Sequence, residues 1–230
     1  MNFKKLKFVI AMVVMGALVA IVGFKDAKMY LSGKTIDLNT ATMDDFKKEC
    51  MVEGDIVYVD GHFGTYEEKQ KKYGVTTTTR ETYYFLVENI SMDYMKKIVN
   101  GEDAEEPDNY FAYVVSVSSK DMKAKLDANS DGWMDYFDGK TNVMPEPVHI
   151  EGKLWKQPDT SDYIKLRDDS IKEIGFDLDE VAEMKVMDSK PGIFSLVLFV
   201  GGIVVALIGL AIMIVPIIMS KRQKQDELYY

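Results

Sequence analysis

The residues best spaced to do chemistry form the run Asp127-Ala-Asn129-Ser-Asp131-Gly132-Trp133-Met134-Asp135-Tyr-Phe-Asp138. Side-chain oxygens recur at its first, third, fifth, ninth and twelfth positions, a glycine stands at the sixth, and the Trp133 carbonyl falls at the seventh. Calcium takes about six to eight oxygens, and carboxylates two residues apart around a glycine turn converge to supply them. Calcium is therefore the one cofactor the sequence points to, with Asp127, Asn129, Asp131, Trp133, Asp135 and Asp138 as its ligands. A mechanical reading competes. The run occurs once, and Gly139 follows it and would break an exiting helix. An acid-rich chain also makes Asp/Asn turns freely, so the same residues fit two short helices, 121–126 and 133–137, joined by a capped turn. The plain turn is the preferred reading.

The run resembles an EF-hand loop and, more closely, the dockerin-type loop, in which Asp at the twelfth position is usual. That resemblance covers 12 of the 230 residues and implies weak calcium binding of the extracellular kind. Other chemistry finds little material. There is no G-x-S-x-G elbow, no H-E-x-x-H and no phosphate-binding P-loop. His62 and His149 read as strand-surface histidines, and nothing places either beside an activated serine. The single cysteine, Cys50, excludes an internal disulfide or a Cys-based zinc site and reads as a small buried residue or a free thiol. No catalytic residue is assigned. With 37 acidic against 28 basic residues, the net charge of -9 argues against a nucleic-acid partner.

These residues must be positioned by a chain that enters a bilayer twice. Residues 8–24 are an uncharged run of 17 after Lys4, Lys5 and Lys7, and residues 193–219 are an uncharged run of 27 before Lys221, Arg222 and Lys224. As helices they reach roughly 25 and 40 Å, against about 30 Å of hydrocarbon. No Ala-x-Ala follows the first run, so it reads as an uncleaved anchor and not a signal peptide. Basic outer flanks put both termini in the cytoplasm by the positive-inside rule. The expected plan is a cytoplasmic N-terminus at 1–7, membrane helices at 8–24 and 193–219, an extracytoplasmic domain at 25–192 and a cytoplasmic tail at 220–230, in the plasma membrane. The central stretch holds 35 of the 37 acidic and 22 of the 28 basic residues. Gly16, Ala20 and Gly23 repeat the spacing of Gly202, Ala206 and Gly209. Residues so spaced share a helix face, and small residues let backbones approach closely in lipid. The two helices are expected to pack on each other near mid-bilayer, or one of them to dimerise.

Between the helices, hydrophobic alternation predicts strands at 55–63, 75–87, 110–118 and 148–155, the first two forming a long antiparallel hairpin around Tyr73-Gly74. A short helix is expected up to Lys48, an acidic loop at 101–108, and mixed helical signals with Gly175 over 161–188. Val57-Tyr-Val-Asp-Gly-His-Phe63 echoes Val148-His-Ile-Glu-Gly-Lys-Leu154, and a glycine at a strand end marks a bulge or corner. The fold expected is α+β, an antiparallel sheet, curved or barrel-like, with helices.

The flanking helices, with Gly54-Asp-Ile-Val-Tyr-Val, Tyr83-Tyr-Phe-Leu-Val87 and the 148–154 strand, resemble two-pass membrane proteins of low-GC Gram-positive bacteria that enclose one extracytoplasmic domain of unknown function. The resemblance supplies no catalytic residues. The function expected is a non-catalytic binding or scaffold module, an accessory subunit of a membrane or envelope assembly, with the bilayer and either a protein partner or a second copy as its contacts. The alternatives are a calcium-responsive module and an exterior hydrolase working through paired carboxylates.

Overall fold

A computed structural model describes residues 3–72, 75–105, 107 and 110–226. The expected Tyr73-Gly74 turn, Asp108 and the terminal Tyr229 and Tyr230 lie outside them. The chain forms two units, one from the residues up to Gly33 with those from Pro191 on, the other from Lys34–Lys190.

The first unit is a helix pair, α1 (Phe3–Ser32) and α5 (Ile193–Asp226). Both are long and apolar enough to cross a membrane. Val22 on α1 is 76% exposed and Leu207 on α5 58%, so the pair presents an apolar outer surface. Gly23 lies against Phe199 and Ser195, Gly16 against Gly202 and Ala206, and Gly209 against Val13, so the helices run antiparallel. A Cβ on Gly16 would stand 2.6 Å from the Ala206 nitrogen, and one on Gly202 2.5 Å from the Ala20 nitrogen. The two backbones touch where the side chains vanish. Phe24 and Phe199 close one end of the seam, their centroids 5.5 Å apart.

The second unit is built on seven strands, β1 (Thr35–Asp37), β2 (Met51–Ile56), β3 (Tyr58–Lys72), β4 (Val75–Glu88), β5 (Ala112–Val117), β6 (Val148–Lys156) and β7 (Val181–Met187). Helices α2 (Met92–Val99), α3 (Lys120–Phe137) and α4 (Ser161–Glu173) join them, with single 3-10 turns at Met43–Lys47 and Leu178–Glu180. The strand order is β1-β2-β6-β7-β5-β4-β3. The β1–β2 and β5–β7 pairs are parallel and the rest antiparallel, with β3 and β4 forming the long hairpin. The unit is α+β. The sheet is mixed and open, so the antiparallel, barrel-like expectation fails: β1 and β3 end the order and do not pair, and a barrel requires that closure.

Core residues explain the order. Every residue of β5 is buried, as a strand covered on both faces must be. Phe85, Tyr113, Val115, Ile150, Leu154 and Val186 face Leu126 of α3 and Phe46 of the first 3-10 turn. On the other face Tyr84, Leu86 and Val114 meet Tyr163 and Ile171 of α4. That helix packs on the half formed by β3, β4, β5 and β7. The half formed by β1, β2 and β6 carries exposed Asp37, Glu53, Asp55, His149 and Glu151 on the same face.

One residue, Val57, separates β2 from β3, yet the two strands pair at opposite ends of the sheet order. The corner falls there and not at the glycines of the echo. Gly61 sits at a register shift in β3, whereas Gly152 is a regular strand residue whose Cβ would stand 2.0 Å from the Met187 carbonyl oxygen.

The helix seam makes a direct prediction. Gly202→Ala must push two backbones apart and is expected to lower the stability of the full chain in mild detergent by about 1–3 kcal/mol. Gly201→Ala, whose Cβ meets nothing within 4 Å, is expected to leave it unchanged. Equal melting of the two variants would refute the seam.

Candidate functional site

Five of the six predicted calcium ligands sit on one uninterrupted helix, and the sixth, Asp138, is its C-cap. Residues 120–137 are all helical, with Ser119 capping the start by accepting from the Met122 N–H. The Lys140 N–H donates to the Asp135 carbonyl and the Gly139 N–H to that of Tyr136, with Gly139 at φ +70°, the glycine-ended stop expected of a helix C-terminus. The calcium-loop and turn readings both fail, because ligands two residues apart lie about 200° apart round a helix and do not converge. Asp127 bonds Lys123, while Asp135 and Asp138 share Lys140 at 3.0 and 2.9 Å. Asp131 is exposed, and Trp133 is 1% exposed.

The loop-like residue types have tertiary causes. Gly132 is small because Pro145 Cγ would lie 2.8 Å from its Cβ. Asn129 is buried, donating to the carbonyls of Val57 and Glu146, both at 3.1 Å, and accepting from the Val59 N–H at 3.2 Å. Trp133 Nε1 also donates to the Val57 carbonyl, at 2.8 Å. The helix thus satisfies the backbone groups that the corner at Val57 takes out of the ladder, since each would cost about 1–3 kcal/mol if buried unpaired.

Next to this corner lies a carboxyl pair that sequence reasoning missed. Asp60 falls in the register shift between Val59 and Gly61, and its Oδ2 is buried without a hydrogen-bond partner among the described residues. Burial first, then the Glu88 charge, pushes its pKa up to about 9. Burial beside the Glu88 charge thus favours the protonated form of Asp60. Tyr110 donates its hydroxyl to Glu88 at 2.6 Å.

A surface cavity of about 550 Å³ opens between the hairpin and the start of α4, walled by Phe63, Tyr66, Tyr84 and Tyr163 with Glu67 and Asp162. Tyr163 is fixed there because its hydroxyl donates to Gln157, which in turn donates to the Ala182 carbonyl of β7.

The third feature is on the uncovered half-sheet. The β2–β6 register sets Glu53 opposite Glu151 and Asp55 opposite His149. His149 Nδ1 is 2.8 Å from Asp55 Oδ1, and Nε2 is 4.0 Å from Glu53 Oε1. One ligand atom each from Glu53, His149 and Glu151 lies within 4.8 Å of the others. Lys190 bonds Glu151 at 2.7 Å. His62 is elsewhere, on β3 against Phe85 and Thr65, and burial lowers its pKa. Cys50 is buried, and burial raises its thiol pKa. The only sequence signal for this cluster was the i, i+2 spacing of Glu53 with Asp55 and of His149 with Glu151, which gains meaning once the two strands are known to pair. The chain matches no family model and no curated protein sequence.

Two outcomes follow for stability. Asn129→Ala is expected to cost about 2–3 kcal/mol through the unpaired Val59 N–H and Glu146 carbonyl, whereas Asp131→Ala should cost under about 0.5 kcal/mol. A chain built round a calcium loop would reverse that order in calcium-containing buffer. For Asp60, the folded state keeps a proton that the unfolded chain releases above its ordinary value of 3.8. Stability therefore falls as pH rises from about 4 towards 9, by at most about 1.4 kcal/mol per pH unit. Asp60→Asn is expected to flatten that slope in melting curves and to raise stability near pH 8. A variant that melts lower than the parent at that pH would contradict the protonated carboxyl.

Proposed function

We propose that the chain is a two-pass plasma-membrane protein with both termini cytoplasmic, and that the 34–190 unit is an extracytoplasmic, non-catalytic binding module. In this reading it is an accessory subunit of a membrane or envelope assembly. The observation that carries the reading is the apolar helix pair, α1 and α5, packed through small residues and formed by the segments that precede and follow a folded α+β unit in the sequence. Three basic residues flank the outer end of each apolar run, which favours cytoplasmic termini. Lipid and a partner's helix are the natural contacts for the outward faces of the pair.

A binding role is supported by the aromatic-walled cavity beside α4 and by the half-sheet face on which Asp37, Glu53, Asp55, His149 and Glu151 are exposed. Concave apolar sites with a few polar groups are where small ligands and chain ends dock. The calcium-responsive alternative loses its ligand set to α3. The hydrolase alternative needs two carboxyls in one cleft: Glu67 and Asp162 wall the cavity, whereas the Asp60 and Glu88 pair does not line it.

Protease applied to intact cells is expected to cut the domain and leave tags at both ends intact. Tags lost before the domain would overturn the orientation. Purified in mild detergent, the protein is expected to retain a stoichiometric companion, and a chain that elutes alone at full yield would sink the subunit role.

A further inference from the structure

We propose that Glu53, His149 and Glu151 form a divalent transition-metal site on the uncovered half of the sheet, with Asp55 as the residue that positions His149. The site follows from strand register. Alternate residues of a strand share a face, so Glu53 and Asp55 of β2 stand beside His149 and Glu151 of β6, and Asp37 of β1 stands beside Glu53. All of them are exposed on the face that α4 leaves open.

Three features distinguish this group from an acidic surface. The first is the imidazole. The Asp55 carboxylate, which only accepts, takes the Nδ1 proton at 2.8 Å, and this leaves the Nε2 lone pair free as a ligand on the Glu53 side. A carboxylate on the far nitrogen is the usual outer partner of a metal-bound histidine, fixing tautomer and ring orientation. The second is convergence. Glu53, His149 and Glu151 already bring one ligand atom each to within 4.8 Å of one another. Around an ion with bonds of about 2.1 Å, tetrahedral ligands sit about 3.4 Å apart, a closure of at most about 1.4 Å from the present 4.8 Å that exposed glutamates can make by rotation.

The third is cost. Glu53 and Glu151 are direct cross-strand partners, and like charges so placed destabilise a sheet. Lys190 offsets one of them at 2.7 Å, while Asp37 and Asp55 add to the negative field. A cation on the three ligands removes that repulsion. One imidazole with two carboxylates suits zinc or manganese better than calcium or magnesium, which prefer all-oxygen shells. Three protein ligands on an open face also leave coordination positions for water or an exogenous ligand.

The test uses the full chain in mild detergent, without a polyhistidine tag and stripped with chelator, titrated with zinc chloride alone. One zinc per chain is expected, bound in the micromolar range or tighter. His149→Ala and the Glu53→Gln plus Glu151→Gln double variant are each expected to weaken binding at least tenfold. Asp55→Asn is expected to weaken it by 10- to 100-fold, the effect typical of an outer partner. With only two histidines in the chain, nitrogen NMR supplies an internal control: zinc should move the His149 Nε2 resonance and leave His62 in place. These side chains are exposed, so circular dichroism should show parental folding in every variant. Zinc held equally well by His149→Ala, a shift at His62 alone, or no binding below 1 mM would each overturn the site.

Discussion

The domain turns on three hydrogen bonds at one corner. Where the chain leaves β2 and enters β3, the Val57 carbonyl accepts from Asn129 and from Trp133, and the Val59 N–H donates to Asn129. A chain that changes strand partners inside a core must satisfy these backbone groups by other means, because water does not reach them. The side chains of α3 supply the means, and so the position of α3 is fixed to the corner. That in turn sets Leu126 against the core face of the sheet and Trp133 against Tyr58 and Tyr136. The Asp60 carboxyl beside the corner is enclosed by the same arrangement, with Ser130 of α3 donating to its backbone carbonyl.

What could be read from the amino-acid order follows the kind of force involved. Long apolar runs and the alternation of 75–87, 110–118 and 148–155 report burial directly, and strands stand there. The segment 127–138 misled because Asp, Asn and Gly favour turns when judged locally. Here Asn129 answers to Val57 and Val59, some 70 residues away in sequence, and Gly132 answers to Pro145. Tertiary contacts chose those residues, and helix formation overrode their propensity. β7 was hidden for a related reason. Its Glu183 and Lys185 break the apolar pattern, although Lys185 is buried with its ammonium over the Tyr84 ring. α2 was also missed, in a segment where only Met95 is buried.

The candidate site was illegible for a different reason. Glu53 with Asp55, and His149 with Glu151, are ordinary exposed strand residues until the β2–β6 pairing is known. The two segments are about a hundred residues apart, and β1, which completes that edge, is three residues long. Pairing at such separation leaves no local mark beyond period-two exposure.

Charge on the open face is sorted along β6 itself, which passes from His149 and Glu151 to Lys153 within five residues. Lys153 and Lys185 are 8% and 6% exposed, and each holds its ammonium over an aromatic ring, Trp155 at 4.6 Å and Tyr84 at 4.9 Å. A ring face stabilises a buried cation without neutralising it. Burial, with the Arg80 charge behind it, brings the Lys185 pKa down to about 8. These ammonium groups are therefore anchored to rings on the side of the sheet that α4 approaches. The carboxylates of β1 and β2 face water at the opposite edge, where Lys190 reaches Glu151. Asp37, Glu53 and Asp55 sustain a negative field there, and that edge attracts cations because the alternation of its strands leaves the acids no other face to occupy.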